Sequence, residues 1–230
     1  MRDKLESRST EYVDINKYEH SAFEAGRSRV VKAIIERYRV AGQALDLGSG
    51  PGWFTKVLIE NGWIVTAIDG EPAHEGQLKQ LNANVLIGDA REILTGMEPG
   101  QFNMILALEI VEHMDVSSAK LFLRNLKKLL APEGVLLVST PNRMSPIGLK
   151  DYYIREVLLR GERWKAWHPN HIHVYNSWEL KGVLKECGYT VERLTGYWYD
   201  FTSLFKTPFF SSSVFPVNHF GFNITLECRV

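Results

Sequence analysis

Residues 44–52 read Ala44-Leu45-Asp46-Leu47-Gly48-Ser49-Gly50-Pro51-Gly52. With Gln43 before it, the first half is a short, mostly apolar strand. The second half is a turn with glycine at every second position. Glycine lets a backbone turn sharply and pass very close to a ligand. Phe54, Val57, Leu58 and Ile59 then mark a helix that stops at Asn61-Gly62. A helix that begins directly after such a turn offers unpaired N–H groups and a partial positive charge to whatever lies above it.

The same alternation continues on both sides. Upstream, Phe23, Val30, Val31, Ile34, Ile35 and Tyr38 recur at three- and four-residue steps, which predicts an amphipathic helix from Ser21 to about Arg39. Downstream, strands are expected over Trp63–Ile68, Asn84–Ile87, Phe102–Leu108 and Gly134–Thr140. A helix is expected over Ser118–Leu130, closed by Pro132 and Gly134. The strands are apolar runs rather than alternating ones, as a sheet covered on both faces requires. The reading is a doubly wound, Rossmann-like α/β fold with a mostly parallel sheet and helices on both faces. Beyond Pro141-Asn142 the regularity fails until a helix over Ser177–Cys187 and strands over Val191–Tyr199 and Ile224–Val230.

Composition narrows the class. A chain of 230 residues is read as one domain over 1–230, with 1–40 as a helical lead-in. The 27 basic and 27 acidic side chains cancel, so a global electrostatic pull toward nucleic acid is not expected. Cys187 and Cys228 are far apart, with no zinc-type spacing, and read as reduced thiols of a cytoplasmic protein. The polar start MRDKLESRST has no apolar signal core, and no apolar run approaches the ~18 residues of a membrane span.

The turn differs from the dinucleotide fingerprint G-x-G-x-x-G, because Trp53 stands at its third glycine site. Asp46, two residues before Gly48, is a poor neighbour for a pyrophosphate and a good one for an amine. Asp69 ends the second strand, where an acid takes both hydroxyls of a ribose. Asp89 follows the third strand, where an adenine amino group can be read. On these residues the chain resembles the class I S-adenosylmethionine (SAM)-dependent methyltransferases. Residues 44–52 match that family's first motif, Asp69 its ribose-binding acid, Gly88-Asp89-Ala90 its adenine-contacting motif and Asn103–Leu108 its fourth strand. The resemblance covers roughly residues 21–200. It implies a seven-stranded sheet whose last strand is antiparallel. It also implies SAM above the turn, held by Asp46, Gly48, Ser49, Gly50, Gly52, Trp53, Asp69, Gly70, Asp89, Ala90 and Leu108, with Arg27 near the methionine carboxylate.

Glu109-Ile110-Val111-Glu112-His113 follows the fourth strand and overhangs the expected methyl donor. It resembles the post-strand motif of the O-methyltransferases of ubiquinone biosynthesis. His113, with Glu112 beside it, is the candidate general base toward a hydroxyl, since imidazole titrates near neutrality. The plain alternative is that both residues only begin the next helix. A third reading places Glu109, Glu112 and His113 on one helical face. With His171 or His173 they would form a divalent-metal set similar to that of small-RNA 2′-O-methyltransferases.

Residues 143–175 carry six basic against three acidic side chains between Arg143 and Lys165. With 200–222 they are expected to form a lobe over the active-site mouth. Trp164, Trp167, His171 and His173 are its candidate substrate contacts, the two histidines facing one side if the segment is extended. The Phe201–Phe222 segment either folds back over the sheet, forms a homodimer interface or touches lipid. The expected function is methyl transfer from SAM to a hydroxyl of a small aromatic, quinone-like or lipid-like acceptor. A metal-dependent RNA ribose methyltransferase, a non-catalytic SAM-binding protein and, weakest, a nicotinamide oxidoreductase are the rivals.

Overall fold

In a computed structural model of the chain, residues 22–38, 42–161, 168–198 and 210–230 are described. Trp164, Trp167 and residues 201–209 of the Phe-rich segment lie outside them. The elements in chain order are α1 (Ala22–Arg37), β1 (Gln43–Leu47), α2 (Trp53–Glu60), β2 (Ile64–Asp69), α3 (Glu75–Gln80), β3 (Asn84–Ile87), α4 (Ala90–Ile93), β4 (Phe102–Leu108), α5 (Val116–Leu129), β5 (Leu130–Pro141), α6 (Pro146–Asp151), α7 (Ser177–Glu186), β6 (Thr190–Trp198), β7 (Phe210–Ser212) and β8 (Asn223–Arg229).

The strands form one sheet in the order β3-β2-β1-β4-β5-β8-β6-β7. The β3-β2-β1-β4-β5 pairs are parallel. β8 runs antiparallel between β5 and β6, and β7 pairs antiparallel with the outer edge of β6. The sheet therefore has eight strands, not the expected seven. The extra one is a three-residue edge, Phe210–Ser212, inside the segment read as a connection. A strand so short leaves no period-two pattern to find. The order reverses between β1 and β4, so the carboxyl ends of these two strands flank the crevice where ligands of such sheets bind.

Side chains alternate across the sheet. Leu45, Leu47, Ile105, Leu136 and Val138 face one side and pack with Phe122, Leu126, Leu180 and Leu184 of α5 and α7. Ala44, Met104, Leu106, Val135 and Leu137 face the other and pack with Val31, Ile34 and Ile35 of α1 and Phe54, Val57 and Leu58 of α2. Glu227 on β8, almost fully buried, ties α1 to the sheet. Nη2 of Arg37 donates to both of its oxygens at 2.7 Å.

Two local readings shift. β5 begins at Leu130, directly after α5, instead of at Gly134. Leu130 pairs with Phe102, and a register shift then brings Met104 opposite Val135, which absorbs Pro132 and Gly134. The stretch read as irregular after residue 143 contains α6 and a π-helical turn over Tyr152–Leu158. Ser145 caps α6 by accepting from Gly148 N–H at 3.1 Å, and Pro146 occupies its first turn. That Ser-Pro pair is an N-terminus signal.

Leu106 is fully buried at the centre of the second face. Leu106→Ala should cost ~2–5 kcal/mol, the usual range for a core leucine whose site collapses only in part. A urea unfolding midpoint unchanged from the wild type would contradict this packing.

Candidate functional site

The turn after β1 takes left-handed backbone at each of its glycines, with φ of 61° at Gly48, 54° at Gly50 and 99° at Gly52. Such angles disfavour any residue with a Cβ. At Gly52 there is also no room, since a Cβ would lie 2.7 Å from Leu81 Cδ1 and 2.9 Å from Leu78 Cδ2. Gly52 caps α2. Ser49 N–H donates to Ile68 O, and Gly50 N–H donates to Asp69 Oδ2 at 2.6 Å. The turn is thus held by the end of β2.

Above it lies a cleft of about 590 Å³, within the usual size of a small-molecule site. Of the residues expected at the cofactor, Gly48, Asp69, Gly70, Asp89 and Ala90 line it, and so does His113. Gly88 of the expected adenine-contacting motif lines it too, and so do Ile68, Arg91, Glu109, Ile110 and Met114, which were not foreseen as cofactor contacts. The apolar positions of the Glu109–Met114 run were the available signal for Ile110 and Met114. Arg27, Asp46, Ser49, Gly50, Gly52, Trp53 and Leu108, also expected at the cofactor, are not among its lining residues. Ser49 Oγ and Trp53 Nε1 are buried and have no hydrogen-bond partner among the described residues.

The acids are not alike. Asp46 is 2% exposed, and its Oδ2 accepts from Thr55 Oγ1 at 2.7 Å. Burial pushes its carboxyl up to about 7, against the opposing Thr55 hydrogen bond, with the Asp69 charge adding to the rise and the Arg27 charge lowering it. Asp69 accepts three bonds, from Gly50 N–H, from Glu71 N–H at 2.8 Å and at His74 Nδ1 at 2.9 Å. Asp89 caps α4 and is forked by Arg91, with Nε at 3.0 and 3.1 Å and Nη2 at 2.5 Å. These hydrogen bonds hold Asp89 below its ordinary value. Arg27 is partly buried with its guanidinium 5.7 Å from the Phe54 ring centroid.

Beyond β4 the helical-face reading of Glu109, Glu112 and His113 fails. Glu109 has φ of 56°, and only Val111–His113 coil, as a single 3₁₀ turn. Glu109 Oε1 accepts from Ser139 Oγ at 2.8 Å and Oε2 from Asn223 Nδ2 at 2.9 Å. Glu112 is fully buried, its Oε1 4.0 Å from His171 Nε2. Burial, then the Glu109 charge, raises its carboxyl well above the carboxylate range. His113 is exposed, with Nδ1 3.3 Å from Asn170 O. Desolvation is the main cause that lowers it from its ordinary 6.5, with the His168 charge adding and the Asn170 carbonyl opposing.

The two lobe histidines part company. His171 sits beside His113, ring centroids 4.8 Å apart. His173 turns to Glu179 on α7, Nε2 to Oε1 2.6 Å. They do not face one side, because residues 169–172 turn rather than run extended. His168 joins His113 and His171 instead, a residue the sequence reading did not single out.

Asp46 generates a pH test. Between its ordinary 3.8 and about 7 the folded protein holds this proton more tightly than the unfolded chain. Its contribution to stability therefore falls as pH rises through that window, by roughly 1.4 kcal/mol per pH unit at most. Asn retains an acceptor for Thr55 and has no charge to bury. Asp46→Asn should gain stability relative to wild type between pH 4.5 and 7.5 in urea melts; a constant difference would refute the raised carboxyl.

Residues 18–194 match the model of a family described as methyltransferase domain. Among similar curated proteins are three called ubiquinone biosynthesis O-methyltransferase. That of Rickettsia canadensis is 26% identical over 69% of this chain and 66% of its own length. That of Caulobacter sp. (strain K31) is 31% identical over 67% and 65%. That of Pseudomonas aeruginosa is 33% identical over 74% of each. The chain thus spans just under two thirds of the length of the first two. Among solved structures, a SAM-dependent methyltransferase of Thermotoga maritima, titled a possible histamine N-methyltransferase, superposes with a TM-score of 0.67 at 15% identity, covering 93% of this chain and 95% of that one. Magnesium protoporphyrin IX methyltransferase of Synechocystis PCC 6803, with bound SAH, gives 0.60 at 16% identity, covering 90% and 84%. Glycine turn, strand-end acids and sheet order thus agree with the family match: the chain belongs to the methyltransferase domain family.

Proposed function

We propose that the protein is a SAM-dependent methyltransferase that acts on a hydroxyl oxygen of a small aromatic, quinone-like or lipid-like molecule. The observation that carries this reading is the cleft at the left-handed glycine turn, with Asp69 and Asp89 at its edge and His113 on its wall. The donor set suits an adenosyl amino acid. Asp46 offers a buried carboxylate to its ammonium group, and ion pairing would favour the charged form of Asp46. Asp69 is placed for ribose hydroxyls. A carboxylate has about four acceptor sites and three are in use, so His74 gives way if both hydroxyls bind. The Ser49 hydroxyl and Trp53 indole are buried donors beside the turn with bonds still to make. Bound there, SAM supplies a methyl group on a cationic sulfur.

Catalysis in such a site comes mainly from alignment and from exclusion of water. The further contribution of this chain is at His113. The Asn170 carbonyl can only accept, so His113 Nδ1 carries the proton and Nε2 holds the lone pair. With its value lowered, the ring is neutral at pH 7 and Nε2 takes the acceptor's hydroxyl proton. Glu112 is fully buried and is not itself part of the cleft lining, so its part is to position its neighbours His113 and His171. The acceptor is proposed to lie against the lobe of residues 143–175. A second cavity there, about 310 Å³, is lined by Arg143, Met144, Leu149, Tyr152, Tyr153 and Asn176. Support for an oxygen acceptor comes from the names of the curated relatives. The RNA-ribose alternative is weakened because Glu109, one of its required ligands, is anchored on Ser139 and Asn223 and is not part of the cluster of His113, His168 and His171.

The test is transfer of labelled methyl from SAM into fractionated cell extract. Label is expected in the organic-soluble fraction; label confined to RNA would overturn the acceptor class. With an acceptor in hand, His113→Ala should lower kcat by roughly 10²–10⁴-fold and leave SAH affinity nearly intact. The wild-type rate should fall as pH drops through a value below 6.5. An unchanged kcat would remove His113 from the chemistry.

A further inference from the structure

We propose that the cavity beside Arg143 binds an aryl carboxylate, so that the methyl acceptor is an aromatic acid whose anionic end pairs with Arg143. That this ligand is the acceptor rests on the proposed function; that the cavity takes an aryl carboxylate does not. The cavity, about 310 Å³, lies at the small end of ligand sites. It seats a head group and a ring and leaves no room for a long chain. Its walls are Arg143, Met144, Leu149, Tyr152, Tyr153 and Asn176.

Among the described residues, Arg143 is the one charged wall residue of the cavity. Its guanidinium lies over the Tyr152 ring, Cζ 5.1 Å from the centroid. Its Nη2 stands 3.6 Å from Glu156 Oε2, an ion pair beyond hydrogen-bond length. That contact takes up none of the N–H donors, which form a fork that matches a carboxylate. Asn176 Oδ1 accepts from Trp178 and Glu179 N–H, at 3.0 and 2.9 Å, so the group it has for a ligand is its NH2. Tyr152 and Tyr153 add phenol groups, their rings packed edge to face 5.3 Å apart. With Met144 and Leu149 these rings form the apolar part of the wall. Guanidinium, amide NH2 and phenol beside apolar surface make a set for an anion on a flat apolar body. The cofactor cleft is the reverse, since Asp69, Asp89 and Glu109 line it together with Arg91. A carboxylate is repelled by those three acids and attracted here.

The backbone that carries the arginine is fixed from behind. Asn142 is 0% exposed, and its Nδ2 donates to His219 O and Gly221 O at 2.8 and 2.7 Å. Its Oδ1 accepts from Met144 N–H at 3.0 Å, and Arg143 N–H donates to Tyr175 O at 2.9 Å. A site supported in this way is preorganised for its ligand. The same segment joins the cavity to the cleft. His173 N–H donates to Glu112 O at 3.1 Å, next to His113, and Asn176 follows three residues later. Three residues span at most about 10–11 Å. An aromatic acid with hydroxyl and carboxylate at opposite ends covers a distance of that order.

Arg143 takes no part in the transfer itself. It sets which acceptors bind and which end of them faces the methyl group. An amide of the same acid keeps the ring and loses the charge, so the ion pair with the guanidinium is not made.

The experiment titrates the full chain, with and without SAH, by calorimetry. The probes are para-hydroxycinnamate, para-hydroxyphenylacetate, their primary amides, and acetate as the charge without the ring. At least one aryl acid is expected to saturate a single site per chain and to bind roughly 10–100-fold tighter than its amide. Acetate should bind more weakly than that acid. Arg143→Gln should abolish the preference for acid over amide, and Arg143→Lys should keep part of it. Unchanged SAH affinity shows that both variants fold. If neither acid binds the wild type more tightly than its amide, the proposal is overturned whatever the variants do. A preference that survives intact in Arg143→Gln, or acetate bound as tightly as the aryl acids, overturns it as well. Transfer of labelled methyl is read separately. Acid binding through Arg143 without transfer would strike the proposed reaction and leave the anion site standing. Transfer to neutral phenols with no preference for the acids would do the opposite.

Discussion

The hydrogen bond from Gly50 N–H to the Asp69 carboxylate joins the carboxyl ends of β1 and β2 across the turn. It holds three left-handed glycines in place. It also sets the start of α2, whose first turn brings Thr55 onto Asp46. The cleft exists because the backbone here is pinned low and no side chain fills the space above it. With Cβ atoms at these positions the turn would rise into the cleft, or β1 and α2 would part.

Much of this was legible in the chain. A glycine at every second position after an apolar strand has few structural uses, and Asp46, Asp69 and Asp89 fall at intervals set by the length of a βα unit. Burial on both faces was legible in the largely apolar runs of β1, β4 and β5. What stayed hidden depends on contacts between distant segments. Glu109 leaves the metal set only because Asn223, more than a hundred residues later, arrives on β8 to meet it. His168 enters only because the loop bends at residues 169–172. His171 and His173 part for the same reason. The Arg91 fork on Asp89 is local, and an i, i+2 Asp-Arg pair is too common in sequence to be read as a site.

Electrostatically the region is a low-dielectric wall that holds two buried carboxyl groups. Asp46 and Glu112 are both buried, both raised by desolvation and both relieved in part by the charge of Arg27. An apolar protein interior tolerates such groups poorly. A cation bound beside them would favour their charged forms. A sulfonium and an ammonium are cations of the kind this wall would favour.

The insertion of β8 between β5 and β6 bears on how the molecule assembles. β6 makes no direct pairing with β5; every ladder bond between the two halves of the sheet passes through residues 223–229. The five parallel strands and their helices can therefore associate while β6 still lacks its neighbour on that side. As the chain leaves the ribosome, β6 presents an open edge until about thirty further residues have followed it, a few seconds at ordinary rates of synthesis. During that interval the exposed edge is a template for the wrong strand. Ser211 and Ser212 of the short β7, which reaches the opposite side of β6 before β8 is complete, lie in the stretch that must wait with it.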